Sequence, residues 1–176
     1  HALGIAIYKT STGYELTQEA PIDEIIKKYG MVDAKTAPTP MIKGAHLVLP
    51  EKPDLTTPFP NLLGELSYIG RGTRPDILTP VSMHSRYTTT YDNTLFESLK
   101  RIVRYLKGTK HYKFVIKASP SMTSAPGRLV NIPTALYTDA DWAADLNGRK
   151  SRSGWAIFVF GILVSYGSKL QKTVAL

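Results

Sequence analysis

Residues 95–107 constrain this chain most, because Leu95, Phe96, Leu99, Ile102, Val103 and Leu106 recur at the spacing of one helix face. A stripe that continuous has to be buried against other elements. Thr94 and Glu97 are placed to form a capping box, and Gly108 to stop the helix. The opposite side carries Lys100, Arg101, Arg104 and Lys107. Like charges at neighbouring helix positions repel by roughly a few tenths of a kcal/mol per pair, a cost that interspersed glutamates usually relieve. Two readings stay open for this face: a surface that tracks phosphates, and an ordinary solvated one whose cations suit the C-terminal end of the helix dipole.

Further helices are legible elsewhere in the chain. Thr17 suits a helix cap and Pro21 a first turn, with Ile22, Ile25, Ile26 and Tyr29 at helical spacing and Gly30 closing the element. Leu62, Leu63, Leu66, Tyr68 and Ile69 predict a second helix that stops at Gly70 and Gly72. The run GRGTR lacks the glycine spacing and following lysine of a phosphate loop. In PDILTPVSMHSRY, Ile77, Val81, His84 and Tyr87 are periodic, and Pro80 requires a helix that starts near Thr79 or kinks there. His46, His84 and His111 have no spacing that would make them metal ligands or a nucleophile's base.

Strands flank these helices. Residues 3–16 read as a hairpin turning at Ser11, Thr12 and Gly13, and residues 112–117 as a strand with Phe114 and Ile116 on one face. Residues 136–142, 154–160 and 162–168 read as three more, the last two joined tightly at Gly161. Between the elements, Pro38, Pro40, Pro50, Pro53, Pro58 and Pro60 make residues 34–60 an extended, surface-hugging linker, and a Ser/Pro/Gly-rich break covers residues 119–127. The chain is therefore α+β.

The 176 residues are 43% hydrophobic and 20% charged, enough for a real core. The longest apolar run, about ten residues from Trp155, falls well short of the roughly 20 a spanning helix needs, so no membrane partner is expected. A net charge of +8 favours polyanionic partners. Without cysteine there is no thiol nucleophile and no Cys-based zinc site, and a reducing compartment fits.

The stretch YTDADWA, residues 137–143, holds the remaining chemistry. Period-two alternation would put Tyr137, Asp139 and Asp141 on one face, and two carboxylates that close repel unless a cation lies between them. Mg²⁺, which takes oxygen ligands, would relieve that repulsion; a solvated acidic strand end is the other reading.

Together, GELSYIGRGTRPDI, SRY, LKRIVRYLKGT, YTDADWAADLNGRKSRSGW and VSYGSKLQKTVAL resemble, in this order and at these intervals, the C-terminal part of copia-type retrotransposon reverse transcriptases running into their RNase H domain. LGIAI, ELTQ, KKYGM and PTPM resemble the segment just after the polymerase active site, so the resemblance covers nearly the whole chain. It implies a palm-end hairpin and helix in residues 1–33, a linker in 34–60, a small helical thumb in 61–118, a second linker in 119–134, and the opening strands of an incomplete RNase H-like antiparallel sheet in 135–176.

By the same resemblance, Lys100, Arg101, Arg104 and Lys107 become candidates for backbone contacts to a template–primer duplex, either RNA–DNA or DNA. Asp139 matches the first metal-ligating aspartate of the nuclease, with Asp141 a less certain neighbour. Mg²⁺ is implied for the parent enzyme, with none expected to bind tightly here. The family's paired polymerase aspartates would precede His1, and its STEAEY-like glutamate would follow Leu176. The expectation is a fragment, catalytically silent alone, that retains at most nucleic-acid binding and has the rest of the polyprotein as its partner. The alternative is an inert product that self-associates through a sheet with unpaired edges.

Overall fold

A computed structural model describes residues 2–117, 134–142 and 148–174. The chain order is β1 (Ala6–Thr10), β2 (Gly13–Thr17), α1 (Glu19–Lys28), α2 (Phe59–Gly72), α3 (Leu78–His84), α4 (Asn93–Gly108), β3 (Phe114–Lys117), β4 (Thr134–Ala140), β5 (Arg152–Val159) and β6 (Ile162–Leu170). Among the described residues, four α-helices and two antiparallel three-stranded sheets, ordered β1-β2-β3 and β4-β5-β6, make the α+β fold.

The helices share one core. Phe59, Leu62, Leu66, Ile69, Ile77, Leu99, Ile102, Val103 and Leu106 are completely buried, with Ile22, Ile25 and Ile26 of α1 packed beside them. All six residues of the predicted α4 stripe belong to this core. The cap of α4, however, is Asp92, whose Oδ1 accepts from the Leu95 amide at 2.8 Å in place of the expected Thr94–Glu97 box. A carboxylate there meets both an orphan N–H and the positive end of the helix dipole.

One glycine of α2 corrects the sequence reading. Gly70 lies inside the helix and does not stop it, whereas Gly72 is its last residue, as expected of a stop. A Cβ on Gly70 would press on the side chains of Leu78 and Ile77 at 3.1 and 3.3 Å, and one on Gly72 would collide with the Gln18 amide. Both positions are small because neighbouring elements pack against them. Pro80 is the third residue of α3, in the first turn, where its missing N–H costs nothing. The helix thus starts within one residue of Thr79, as the proline requires, and no kink is needed.

β3 pairs antiparallel with β2, so the strand that follows the helices completes the N-terminal hairpin. At the hairpin turn, Gly13 has φ +155° and lies against the Ile116 carbonyl of β3, leaving no room for a Cβ. The second sheet turns from β5 to β6 through Phe160 and Gly161, with φ of 52° and 77°. Two successive positive φ values identify a type I′ hairpin turn, whose twist matches that of its strands.

Residues 32–58 form no helix or strand, yet they pack as a strap. Ala37 is buried, and its amide donates to the Arg104 carbonyl at 3.3 Å. The hydroxyls of Tyr87 and Tyr91 donate to the carbonyls of Leu47 (2.6 Å) and Leu55 (3.1 Å). Phe59 stacks on Tyr91 at 4.9 Å between centroids, fixing the strap's far end to α2. The Ser/Pro/Gly-rich break expected over 119–127 lies outside the described residues.

Candidate nucleic-acid interface

The cationic side of α4 faces the strap. Lys107 Nζ donates to the carbonyls of Val32 (2.5 Å) and Ala34 (2.7 Å), and Arg104 Nε donates to the Lys35 carbonyl at 2.6 Å. Arg101 Nη2 donates to the Thr39 hydroxyl at 3.2 Å. Lys100 pairs with Glu97, one turn away on the same helix. The charges expected to repel are instead spread over carbonyl dipoles and one acid. All four residues are partly buried, the Lys100 side chain being 25% exposed. Each arginine carries five donors and the strap occupies one of them, so donors remain for a further acceptor.

The two aspartates are placed differently. Asp139 is on β4, exposed, and its Oδ1 accepts from the neighbouring Ala140 amide at 2.8 Å. Asp141 lies just beyond the strand, and its Oδ1 accepts from the Arg152 amide at 2.7 Å while its own amide donates to the Arg152 carbonyl at 3.1 Å. Asp141 thus closes the end of the β4–β5 ladder. Among the described residues, no group of three or more His, Asp or Glu side chains could hold a metal ion. A two-metal centre needs several converging carboxylates, so this donor set does not fit Mg²⁺ by itself.

A polar centre that the sequence did not reveal ties the helices together. Arg74, whose side chain is 3% exposed, forms an ion pair with Asp76 at 2.6 Å and donates to the carbonyl and hydroxyl of Thr109 at 2.9 and 2.7 Å. Its guanidinium also lies over the rings of Tyr105 and Tyr112. Tyr105 donates to Asp76 at 2.7 Å. Burial pushes the Asp76 carboxyl up, but the hydrogen bonds from Arg74 and Tyr105 and the Arg74 charge outweigh it and hold the group below its usual range.

The retrovirus-related Pol polyprotein of transposon TNT 1-94 from Nicotiana tabacum is 33% identical over 186 residues, covering 99% of this chain and 13% of that protein. That of transposon RE1 from Arabidopsis thaliana is 31% identical over 98% of the chain and 11% of the polyprotein. The homologues of the chain are thus retrovirus-related Pol polyproteins of plant transposons, about 30% identical over nearly its whole length. The chain spans roughly an eighth of the length of these Pol relatives. Secreted RxLR effector protein 161 of Plasmopara viticola is similar to it as well, 34% identical over 119 residues, which is 68% of this chain and 77% of that protein. No family model and no solved structure matches the chain.

A cleft of about 760 Å³ separates α2 and α3 from β5 and β6. Leu63, Val81 and Trp155 contribute its apolar lining; Arg71 and Lys169 are its cations, and no carboxylate lines it. Two hydrogen bonds bridge the cleft's sides, from the Tyr166 hydroxyl to the Arg71 carbonyl at 2.9 Å and from Arg152 Nη1 to Ser82 Oγ at 2.7 Å. Each partner pair lies 70 or more positions apart in the chain, so local patterning carried no sign of the cleft.

Proposed function

We propose that this chain is the part of a copia-type reverse transcriptase running from the end of the palm through the thumb into the first strands of RNase H, and that it holds a template–primer duplex. The observation that carries this reading is the row Lys100, Arg101, Arg104 and Lys107 on one side of α4, rigidly mounted on a fully buried apolar stripe. The strap orients Arg101, Arg104 and Lys107 through a hydroxyl and backbone carbonyls, which leave their charges in place, while Lys100 is paired with Glu97; the remaining guanidinium donors of Arg101 and Arg104 take phosphate oxygens. Such contacts position a duplex without reading its sequence. Asp139 contributes one ligand to a nuclease centre that the rest of the polyprotein completes, and Mg²⁺ belongs to that completed centre. On its own the segment binds and does not cut.

The test is an anisotropy titration of a labelled RNA–DNA duplex with the purified chain and with the Arg101→Gln/Arg104→Gln double variant. The variant is expected to bind all sequences more weakly and with a shallower salt dependence. Equal affinity of variant and parent contradicts the role of α4. Mg²⁺-dependent primer extension or hybrid cleavage by the chain alone contradicts the non-cutting role.

A further inference from the structure

We propose that the cleft between α2/α3 and β5/β6 binds single-stranded nucleic acid, with a base stacked on Trp155 and the flanking phosphates held by Arg71 and Lys169. This rests on the nucleic-acid role proposed above but uses a different surface. Trp155 sits opposite Gly167 in the β5–β6 register, and the six-membered part of its indole covers Gly167 so closely that a Cβ there would overlap the ring. The glycine therefore fixes the ring, while Trp155 remains 37% exposed and lines the cleft. A held aromatic surface of this kind accepts any base, because every base has a π-face.

The cations point to the same occupant. Neither Arg71 nor Lys169 has an ion pair or side-chain hydrogen bond among the described residues. Ser67 and Ser168 add hydroxyls to the same walls. Unpaired cations, free hydroxyls, an aromatic plate and no acid together match a chain that alternates anions with planar rings. A volume of about 760 Å³ lies within the roughly 300–1,000 Å³ of small-ligand sites and suits a short stretch of strand, not a duplex. In a duplex the inner base faces are already covered by their neighbours, so stacking on Trp155 selects an unpaired base.

The chain has 2 tryptophans, and Trp142 is 74% exposed and does not line the cleft, so Trp142→Phe leaves Trp155 as the only indole emitter. That variant is titrated with an oligothymidylate of about 12 nucleotides. Trp155 emission is expected to be quenched as the oligonucleotide binds. Adding Arg71→Gln and Lys169→Gln is expected to weaken binding about tenfold and to reduce the log–log salt slope by about 1.4, while the melting temperature is kept. Trp155→Leu tests the stacking by anisotropy and is expected to cost about tenfold in affinity.

Binding detected by anisotropy with Trp155 emission unchanged overturns this inference and leaves the duplex role of α4 standing. An absence of binding to any nucleic acid overturns both. Equal quenching by a duplex of the same length overturns the single-strand assignment, and equal quenching by polyglutamate overturns the nucleic-acid assignment of the cleft.

Discussion

Arg74 donates to both the carbonyl and the hydroxyl of Thr109, at 2.9 and 2.7 Å, across 35 positions of sequence. This contact ties the turn after α2 to the C-terminal end of α4, where carbonyls would otherwise lack donors. Asp76 and two tyrosine rings hold the guanidinium in place. Arg74→Gln keeps some hydrogen bonding but leaves the Asp76 carboxylate without its cation. It is expected to destabilise the fold by on the order of 2–3 kcal/mol, less than for a fully buried pair because Asp76 is partly exposed. Urea denaturation measures this; an unchanged midpoint contradicts it.

His84 makes stability depend on pH. Its Nδ1 lies 2.7 Å from the Pro80 carbonyl, which can only accept, so Nδ1 carries the proton and Nε2 accepts from Ser98 at 3.0 Å. Burial pushes its pKa below 6.5. Below that value the unfolded chain binds a proton that the folded chain resists, so stability falls as pH drops through and below 6.5. Melting temperatures from about pH 7 to about pH 5 are expected to fall for the parent and to stay flatter for His84→Gln, whose amide can serve both partners. Asp76 acts lower: its depressed pKa gives stability that is present above 3.8 and lost as pH falls through the folded value. Asp76→Asn is expected to remove that acid limb.

The strap depends on Lys107. Replacing it with methionine preserves the aliphatic stem but leaves the carbonyls of Val32 and Ala34 without their donor. The expected cost is about 1 kcal/mol, discounted for partial exposure. Limited proteolysis within residues 40–58 is expected to accelerate, because the strap's first anchor is gone. An unchanged cleavage pattern would show that Ala37 and the two tyrosines hold the strap unaided.

Among the described residues β4 is an edge strand, and Leu136 and Tyr137 on it are 62% and 65% exposed. An apolar open edge pairs readily with a second copy. Size-exclusion chromatography is expected to show association that grows with concentration and that Leu136→Lys reduces. Identical elution of parent and variant at all concentrations contradicts this.

Much of the fold could be read from periodicity. The α4 stripe, the helix around Ile22 to Ile26 and the β5–β6 hairpin depend on residues near one another in sequence, and each formed close to its expected bounds. What stayed hidden was tertiary. Gly70 looks like a helix stop until Leu78 and Ile77 are seen against it. The face of α4 looked like uncompensated charge because its partners, the strap carbonyls, lie about 70 positions away and carry no side-chain signal. Asp139 and Asp141 looked like equivalent alternating positions, but the strand ends between them and Asp141 caps the ladder.

The most direct test of the proposed role is the salt dependence of binding between the unmodified chain and an RNA–DNA duplex. Affinity is expected to fall linearly on a log–log plot, with a slope of about −2 to −4 if Arg101, Arg104 and their neighbours each neutralise about one phosphate. A flat slope, or no binding at low salt, contradicts the account.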